Sequence, residues 1–228
     1  MYLQEEGDFM IKGLVFIIAL LMASAAAAQW SENFDSYDSG SGIYGQGGWT
    51  CWDDNPAFDA YVTGDQYQST PNSLNIISTS DVVQEFNITS GDWEISAWHY
   101  IPSSAAGQQY FILLTYYEGA SSDWALQLKF DNDIGQMSVE EGSGLVDIVD
   151  DQWVEVKVEI MLGANSQNIY YNGNFVETIP WSPSSGILEL DALDLFSDGG
   201  DPIFWDDIVL EPGQALQPAT WASIKSSW

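Results

Sequence analysis

Apolar and polar residues alternate along much of the chain between residues 30 and 211, and a period of two predicts β-strands. The segments 93–101, 124–130 and 153–162 show this alternation most clearly. In each segment one face is mainly apolar and is expected to pack into a core. The side chains predicted to face that core are Trp93, Ile95, Ala97, His99, Ile101, Trp124, Leu126, Leu128, Phe130, Val154, Val156, Val158 and Ile160.

A hairpin is predicted at 169–176, because Asn172-Gly173 supplies the positive φ angles of a tight turn. Other apolar runs bounded by turn residues predict further strands, at about 31–37, 73–78, 82–87, 110–117, 135–140, 187–196 and 203–210. No segment before residue 218 has the period of a helix. The whole pattern therefore predicts an all-β fold, an antiparallel sandwich of two sheets.

The start of the chain has the pattern of an export signal. Lys12 precedes the apolar run 13–23, and an Ala-x-Ala cleavage site ends at Ala28. The acidic residues 1–9 are unlike the start of such a signal, so translation is predicted to begin at Met10. The apolar run is shorter than the roughly 18 residues that span a membrane. The protein is therefore predicted to be secreted without membrane insertion, and to be extracellular, with the periplasm as the alternative.

This pattern predicts three parts: a signal peptide at 1–28, a sandwich domain at 29–212 and a C-terminal tail at 213–228. The tail segment 219–225 has the length for one or two helical turns. It follows Pro212-Gly213 and Pro218, which separate it from the last strand. The sequence does not distinguish between a docking peptide and a frayed end for this tail.

The chain is strongly acidic, with 34 Asp and Glu against four Lys and Arg and a formal charge of −30. Removing 1–28 takes away three acids and one lysine, which leaves 31 acids, three lysines and a charge of −28. Such a field repels nucleic acid, anionic membranes and polysaccharides rich in uronate or sulfate. It favours cations, and a salt-adapted habitat is the alternative explanation of the acidity.

The lone cysteine and the lone histidine limit the chemistry. Cys51 has no partner for an intramolecular disulfide and is predicted to be a small buried apolar residue. His99 is mid-strand on the predicted core face, which favours a hydrogen-bonded core histidine over a member of a catalytic triad. A zinc site built from several histidines is excluded.

Three segments resemble a known superfamily. They are 153–160 (WVEVKVEI), 169–173 (IYYNG) and 204–208 (FWDDI). Together they resemble the concanavalin A-like lectin/glucanase superfamily, and within it the laminin-G-like jelly-roll domains of secreted bacterial proteins, over about residues 30–211. The resemblance implies a jelly-roll sandwich with ligands on one sheet face or at the loop rim. Sugar binders, adhesion modules and glycosidases share this fold, so the fold alone does not assign an activity.

The last predicted strand, IFWDDIVL, contains two adjacent aspartates, one of which should share a face with Phe204, Ile208 and Leu210, the bulky residues expected to face the core. In carbohydrate-binding jelly rolls that look similar, an acid of the first strand and acids of the last strand share a structural calcium. The resemblance therefore implies calcium at Asp35, Asp206 and Asp207, with Glu32 as a substitute for Asp35. The alternative is a solvated acid that blocks edge pairing.

An enzyme is the runner-up prediction. Glu189, Asp191 and Asp194 resemble the Glu-x-Asp-x-x-Glu signature of laminarinase-type glycoside hydrolases, in which a bulge places three acids on one face. Here the last acid is Asp, and strict alternation places it on the opposite face from Glu189 and Asp191. The alternative is an acidic solvent face over an apolar core.

A neutral glycan or another neutral polysaccharide is the favoured partner, because Trp and Tyr rings stack well on sugars. If strands 110–117 and 124–130 lie beside strand 93–101, one outer face carries Trp98, Tyr100, Tyr117, Gln127 and Lys129. Packing of the rings under a loop is the alternative. The loop 42–58, with Trp49, Trp52, Asp53 and Asp54, is the second candidate site. The sequence thus favours a non-catalytic binding or adhesion module.

Overall fold

Fifteen strands form in residues 30–213, the part of the chain that the computed structural model describes. All of their pairings are antiparallel and they make two sheets. The predicted all-β, two-sheet jelly-roll sandwich is confirmed. The structure describes no part of the predicted signal peptide and, of the predicted tail, only Gly213.

The first sheet has eight strands in the order β13-β12-β11-β6-β15-β4-β3, with β1 also paired to β15. Its strands are β1 (Trp30–Glu32), β3 (Tyr61–Thr63), β4 (Ser73–Ile76), β6 (Asp92–Tyr100), β11 (Trp153–Met161), β12 (Ser166–Tyr171), β13 (Asn174–Ile179) and β15 (Ile203–Pro212). The first and last strands are neighbours, as the resemblance implied.

The second sheet has seven strands in the order β10-β9-β8-β7-β14-β5-β2. Its strands are β2 (Trp49–Cys51), β5 (Asp81–Ile88), β7 (Gln108–Tyr116), β8 (Asp123–Asp131), β9 (Gln136–Val139), β10 (Leu145–Asp147) and β14 (Leu190–Asp198). Short 3-10 turns lie at Trp52–Asp54, Pro56–Phe58, Gly119–Ser121 and Leu162–Ala164. No helix among residues 30–213 is long and apolar enough to cross a membrane.

Local sequence accounts for several of these strands. Asn172 and Gly173 have φ angles of 50° and 70° and join β12 to β13, so the predicted hairpin is confirmed. The strand predicted at 31–37 is wrong beyond Glu32, because Phe34 has a φ of 58° and ends the extended run. Three short strands, β2, β3 and β10, have too few residues to show an alternation and were missed.

The core lies between the two sheets, and the predicted inward faces of β6 and β11 are buried there, apart from Trp93, which is half-buried at the edge of the core. Cys51 is also fully buried, as expected. The predicted core position of His99 is confirmed, because the ring is buried against Trp205, Phe130 and Tyr171. Neither ring nitrogen of His99 has a hydrogen-bond partner within residues 30–213, so the predicted hydrogen-bonded histidine is wrong.

Two irregularities change the predicted faces. In β8, Leu113 pairs with Leu126 and Leu114 with Trp124, so Ala125 is an extra residue. The predicted inward position of Trp124 is therefore wrong, because the bulge reverses the alternation and leaves Trp124 37% exposed.

In β15 the register shifts between Asp206 and Val209, and Asp207 has a φ of 44°. Trp205 and Ile208 both face the core as a result. Asp206 shares the outer face with Phe204 but is fully buried there. The expectation that one aspartate shares a face with Phe204, Ile208 and Leu210 together is wrong, since the bulge separates Phe204 from the other two.

Candidate functional site

The five residues predicted to bind a ligand lie on opposite outer faces of the sandwich. Trp98 and Tyr100 are in β6 of the first sheet. Gln127 and Lys129 are in β8 of the second sheet, and Tyr117 directly follows β7 of that sheet. The assumption that these strands are neighbours is therefore wrong, because β6 pairs with β11 and β15 and not with β7. The five residues do not form one site.

On the outer face of the first sheet, the rings of Trp98 and Tyr100, which were predicted to stack on a sugar, are partly covered by neighbouring side chains. The Tyr100 ring lies 5.8 Å from Trp153 and 6.2 Å from Phe204. Trp98 is half-buried and lies opposite Glu155 on one side and Asp206 on the other. This face offers partly covered rings among carboxylates.

On the second sheet, an open depression of about 230 Å³ lies on the outer face. Strands β5, β7, β8 and β14 form its base, and the turn Trp52–Asp54 forms one side. Its lining residues are Trp52, Asp81, Ile112, Trp124, Gln127, Asp194 and Phe196. Aromatic rings, an amide and two carboxyl groups thus face one small open space.

The two tryptophans reach the depression for separate local reasons. Cys51 ends β2 facing the core, so Trp52 is directed to the outer face, and Asp53 turns the chain with a φ of 55°. Asp tolerates this left-handed conformation better than most residues. The β8 bulge turns Trp124 outward. The two indole rings lie 6.4 Å apart at 14° and are therefore nearly parallel.

Neighbouring groups hold the other polar side chains. The Glu141 carboxylate accepts from Gln127 Nε2 at 2.8 Å and from Gln127 N at 2.7 Å, which orients the amide. The Tyr117 ring packs edge-on against Trp52 at 5.1 Å, and the Tyr117 backbone N–H donates to Asp191 Oδ2 at 2.7 Å. Two of the five predicted ligand residues, Tyr117 and Gln127, therefore belong to this region.

Four other residues predicted for a ligand site, three in the loop 42–58 and one in β8, do not line the depression. Trp49 is fully buried in the core rather than at the rim, since β2 directs it inward. Asp53 and Asp54 are exposed. The Lys129 ammonium lies 3.7 Å from Glu140, which makes it part of a surface ion pair.

Two carboxyl groups lie at the base of the depression. Asp194 of β14 is opposite Val83 of β5, which places it diagonally across from Asp81. The two groups are within hydrogen-bonding distance of each other. Burial raises the pKa of Asp81 to about 6. Burial and the neighbouring Asp81 carboxylate raise the pKa of Asp194 well above its usual range.

The three acids of the glucanase-like motif are not all in the depression. A bulge lies between Leu190 and Ala192, and beyond it Asp194 faces outward with Ala192. Asp191 accepts a hydrogen bond from the Tyr117 backbone N–H. Glu189 precedes β14 and does not line the depression. Of the predicted catalytic acids, only Asp194 is at the site, and its nearest carboxyl partner is Asp81.

The acids predicted to bind calcium all hold the loop 66–72. The buried Asp206 carboxylate accepts from the backbone amides of Gln68 and Ser69 at 2.7 and 3.0 Å, and from its own neighbour Asp207 at 2.7 Å. Asp35 Oδ1 accepts from Asn72 N at 3.1 Å.

The Ser69 hydroxyl donates to Asp207 Oδ1 at 2.9 Å, so each of the three acids accepts at least one hydrogen bond from this loop. The predicted substitute Glu32 accepts from Phe34 N and from the Tyr37 hydroxyl. No group of three or more possible metal-ligating acids, histidines or cysteines occurs within residues 30–213. This arrangement does not suit a cation, and calcium at these residues stays a prediction.

Comparisons with known proteins show the fold. No family model matches this chain, and no curated protein matches its sequence. A solved sialidase structure superposes with a TM-score of 0.54 at 12% identity, covering 84% of this chain. This chain spans only 19% of that sialidase.

Lectin II from Ulex europaeus superposes with a TM-score of 0.53 at 14% identity, over 82% of this chain and all of the lectin. The lectin UEA-II complexed with galactose gives a TM-score of 0.52 at 14% identity, with the same coverage. At these identities the likeness establishes a lectin-like β-sandwich fold.

Proposed function

We propose that this protein is an exported carbohydrate-binding module whose ligand binds in the depression of the second sheet. The observation that carries the proposal is the pair of nearly parallel rings, Trp52 and Trp124, beside two carboxyl groups and one oriented amide. Sugar rings have apolar faces and polar edges, which suit flat aromatic walls with a few hydrogen-bonding groups. The leader-like segment 10–28 supports export.

The structural likeness to lectins supports the same proposal, since one of those lectins was solved with galactose. Composition adds a constraint on the ligand class. The sequence has four Lys and Arg against 34 Asp and Glu, so the protein repels anionic polymers. The proposed partner is therefore a neutral glycan.

A pair of matched variants tests the site. Stacking on an indole contributes on the order of 1–2 kcal/mol, so Trp124→Ala should weaken binding by about tenfold or more. Because Trp124 is 37% exposed, the variant should keep the wild-type fold. Trp98→Ala on the opposite face is the control and should bind normally.

The measurement is a glycan array followed by calorimetry on the neutral oligosaccharides that bind. Equal loss in both variants would indicate a general folding defect, which circular dichroism would detect. Loss only in Trp98→Ala would place the site on the first sheet and overturn the proposal. A reducing-sugar assay on β-glucans tests the glycosidase alternative, which predicts turnover that Asp194→Asn abolishes.

A further inference from the structure

The Asp81–Asp194 pair has an unusual hydrogen-bonding requirement. Asp194 is 2% exposed, and Oδ1 of each residue is buried with no donor partner within residues 30–213. Two ionised carboxylates at hydrogen-bonding distance repel each other strongly in a desolvated place. A proton held by one carboxyl group converts this repulsion into a hydrogen bond.

The surroundings supply no alternative counter-charge. None of the seven residues that line the depression is Lys, Arg or His. The titratable groups near the pair on this face are Asp53 from the turn after β2 and Tyr117 directly after β7, while Cys51 of β2 faces the core on the other side of the sheet. None of these is a cation, and the Asp53 carboxylate adds to the negative potential at Asp81.

We infer that Asp81 and Asp194 share one proton at the base of the depression and thereby make the site selective for neutral over anionic sugars. This inference rests on the proposed function. Asp81 is the more exposed of the two and accepts a sugar hydroxyl, while Asp194 is a positioning residue that donates to Asp81 from beneath. An anionic sugar would bring a further negative charge to a site that already requires a proton to be stable.

Ligand binding is then coupled to the proton. A neutral sugar that covers the depression removes more water from the pair and so favours the protonated form further. By linkage, a ligand that favours the protonated form binds more tightly at low pH. A cation would behave in the opposite way, because it competes with the proton and binds more tightly as pH rises.

The experiment compares the wild type with Asp194→Asn, whose amide donates to Asp81 but does not ionise in this range. The probes are neutral oligosaccharides of glucose, galactose, mannose and xylose, and matched uronic acid oligosaccharides, titrated by calorimetry at pH 5 and pH 8. We expect the wild type to bind the neutral probes about tenfold or more tightly at pH 5 than at pH 8. Asp194→Asn should show a smaller difference between the two pH values than the wild type, because only the Asp81 carboxyl, whose pKa burial raises to about 6, still ionises at the site.

Asp198→Asn is the control, because Asp198 is an exposed acid on the same strand, and it should keep the wild-type pH dependence. Affinity that rises with pH, or that requires added calcium, would overturn the inference in favour of a cation. Binding without pH dependence in the wild type would also overturn it while leaving the proposed function intact. Absence of binding to every probe at both pH values would overturn the proposed function, and the inference with it.

Discussion

Asp194 on β14 lies diagonally across from Asp81 on β5, and the buried Asp194 and half-buried Asp81 carboxyl groups lie at the base of a depression lined by the Trp52 and Trp124 rings. In the sequence of a protein with 34 acids, Asp81 is not notable, and Asp194 is notable only for its resemblance to a catalytic motif. What distinguishes them is that the sheet order brings them together and Trp52 and Trp124 limit their access to water. The proposed function depends on an apolar wall, formed by the two indole rings, above a floor of two carboxyl groups that share a proton.

The stability that Asp206 contributes should be lost as pH rises from about 4 to 8. Burial raises the pKa of Asp206 to about 7, so the folded protein binds more protons there than the unfolded chain does. The stability associated with this group is present below its unfolded pKa and is lost as pH rises through about 7. The raised pKa of Asp81, about 6, acts in the same direction.

Urea unfolding at pH 5 and pH 8 measures this effect. Asp206→Asn removes the ionisation and should make the difference between the two pH values smaller than in the wild type. Asp147→Asn, which changes an exposed acid at the sheet edge, is the control and should leave the difference unchanged. A difference between the two pH values that is the same in Asp206→Asn as in the wild type would contradict the assignment.

Replacing His99 with phenylalanine should stabilise the protein most at acidic pH. Burial lowers the pKa of His99 to about 3, so the unfolded chain binds a proton there that the folded protein does not, and stability is lost as pH falls below the usual histidine pKa. His99→Phe removes this loss and the two unpartnered ring nitrogens, while keeping a ring against Trp205. Urea unfolding at pH 4 and pH 7 should show a larger gain at pH 4. A large destabilisation at both values would mean that His99 has a hydrogen-bond partner that matters.

Chelation tests the calcium prediction. With Asp206 surrounded by three backbone amides, we expect EDTA to change the melting temperature little. A structural ion bound only by the folded state would instead add stability by mass action. A fall of several degrees with EDTA, abolished in Asp207→Ala, would establish calcium at Asp35, Asp206 and Asp207.

Alternation predicted the sandwich because most strands are half-buried and have one uniformly apolar face. Val154 and Val156 of β11, for example, are buried as predicted. The predictions failed at bulges, since one inserted residue reverses every face beyond it. Ala125 exposes Trp124, and Asp207 separates Phe204 from Ile208. A bulge has no reliable signature in a single sequence.

The candidate site was predicted only in part. Tyr117, Gln127 and the Trp52 turn were singled out from their residue types, and Asp194 from its resemblance to a catalytic motif. Asp81 was missed, although its alternation with the core residue Val82 is a weak signal that it faces outward. The order of strands decides which acids meet, and it is set by long-range pairing that the local pattern does not encode.

The most direct test of the proposed site is to follow the indole N–H signals of the 11 tryptophans by two-dimensional NMR while neutral oligosaccharides of glucose and galactose are added. Single Trp→Phe variants assign the signals. The account predicts shifts at Trp52 and Trp124, with Trp98 and Trp153 of the opposite face unchanged. Shifts confined to Trp98 and Trp153, or no shift with an oligosaccharide that calorimetry shows to bind, would contradict it.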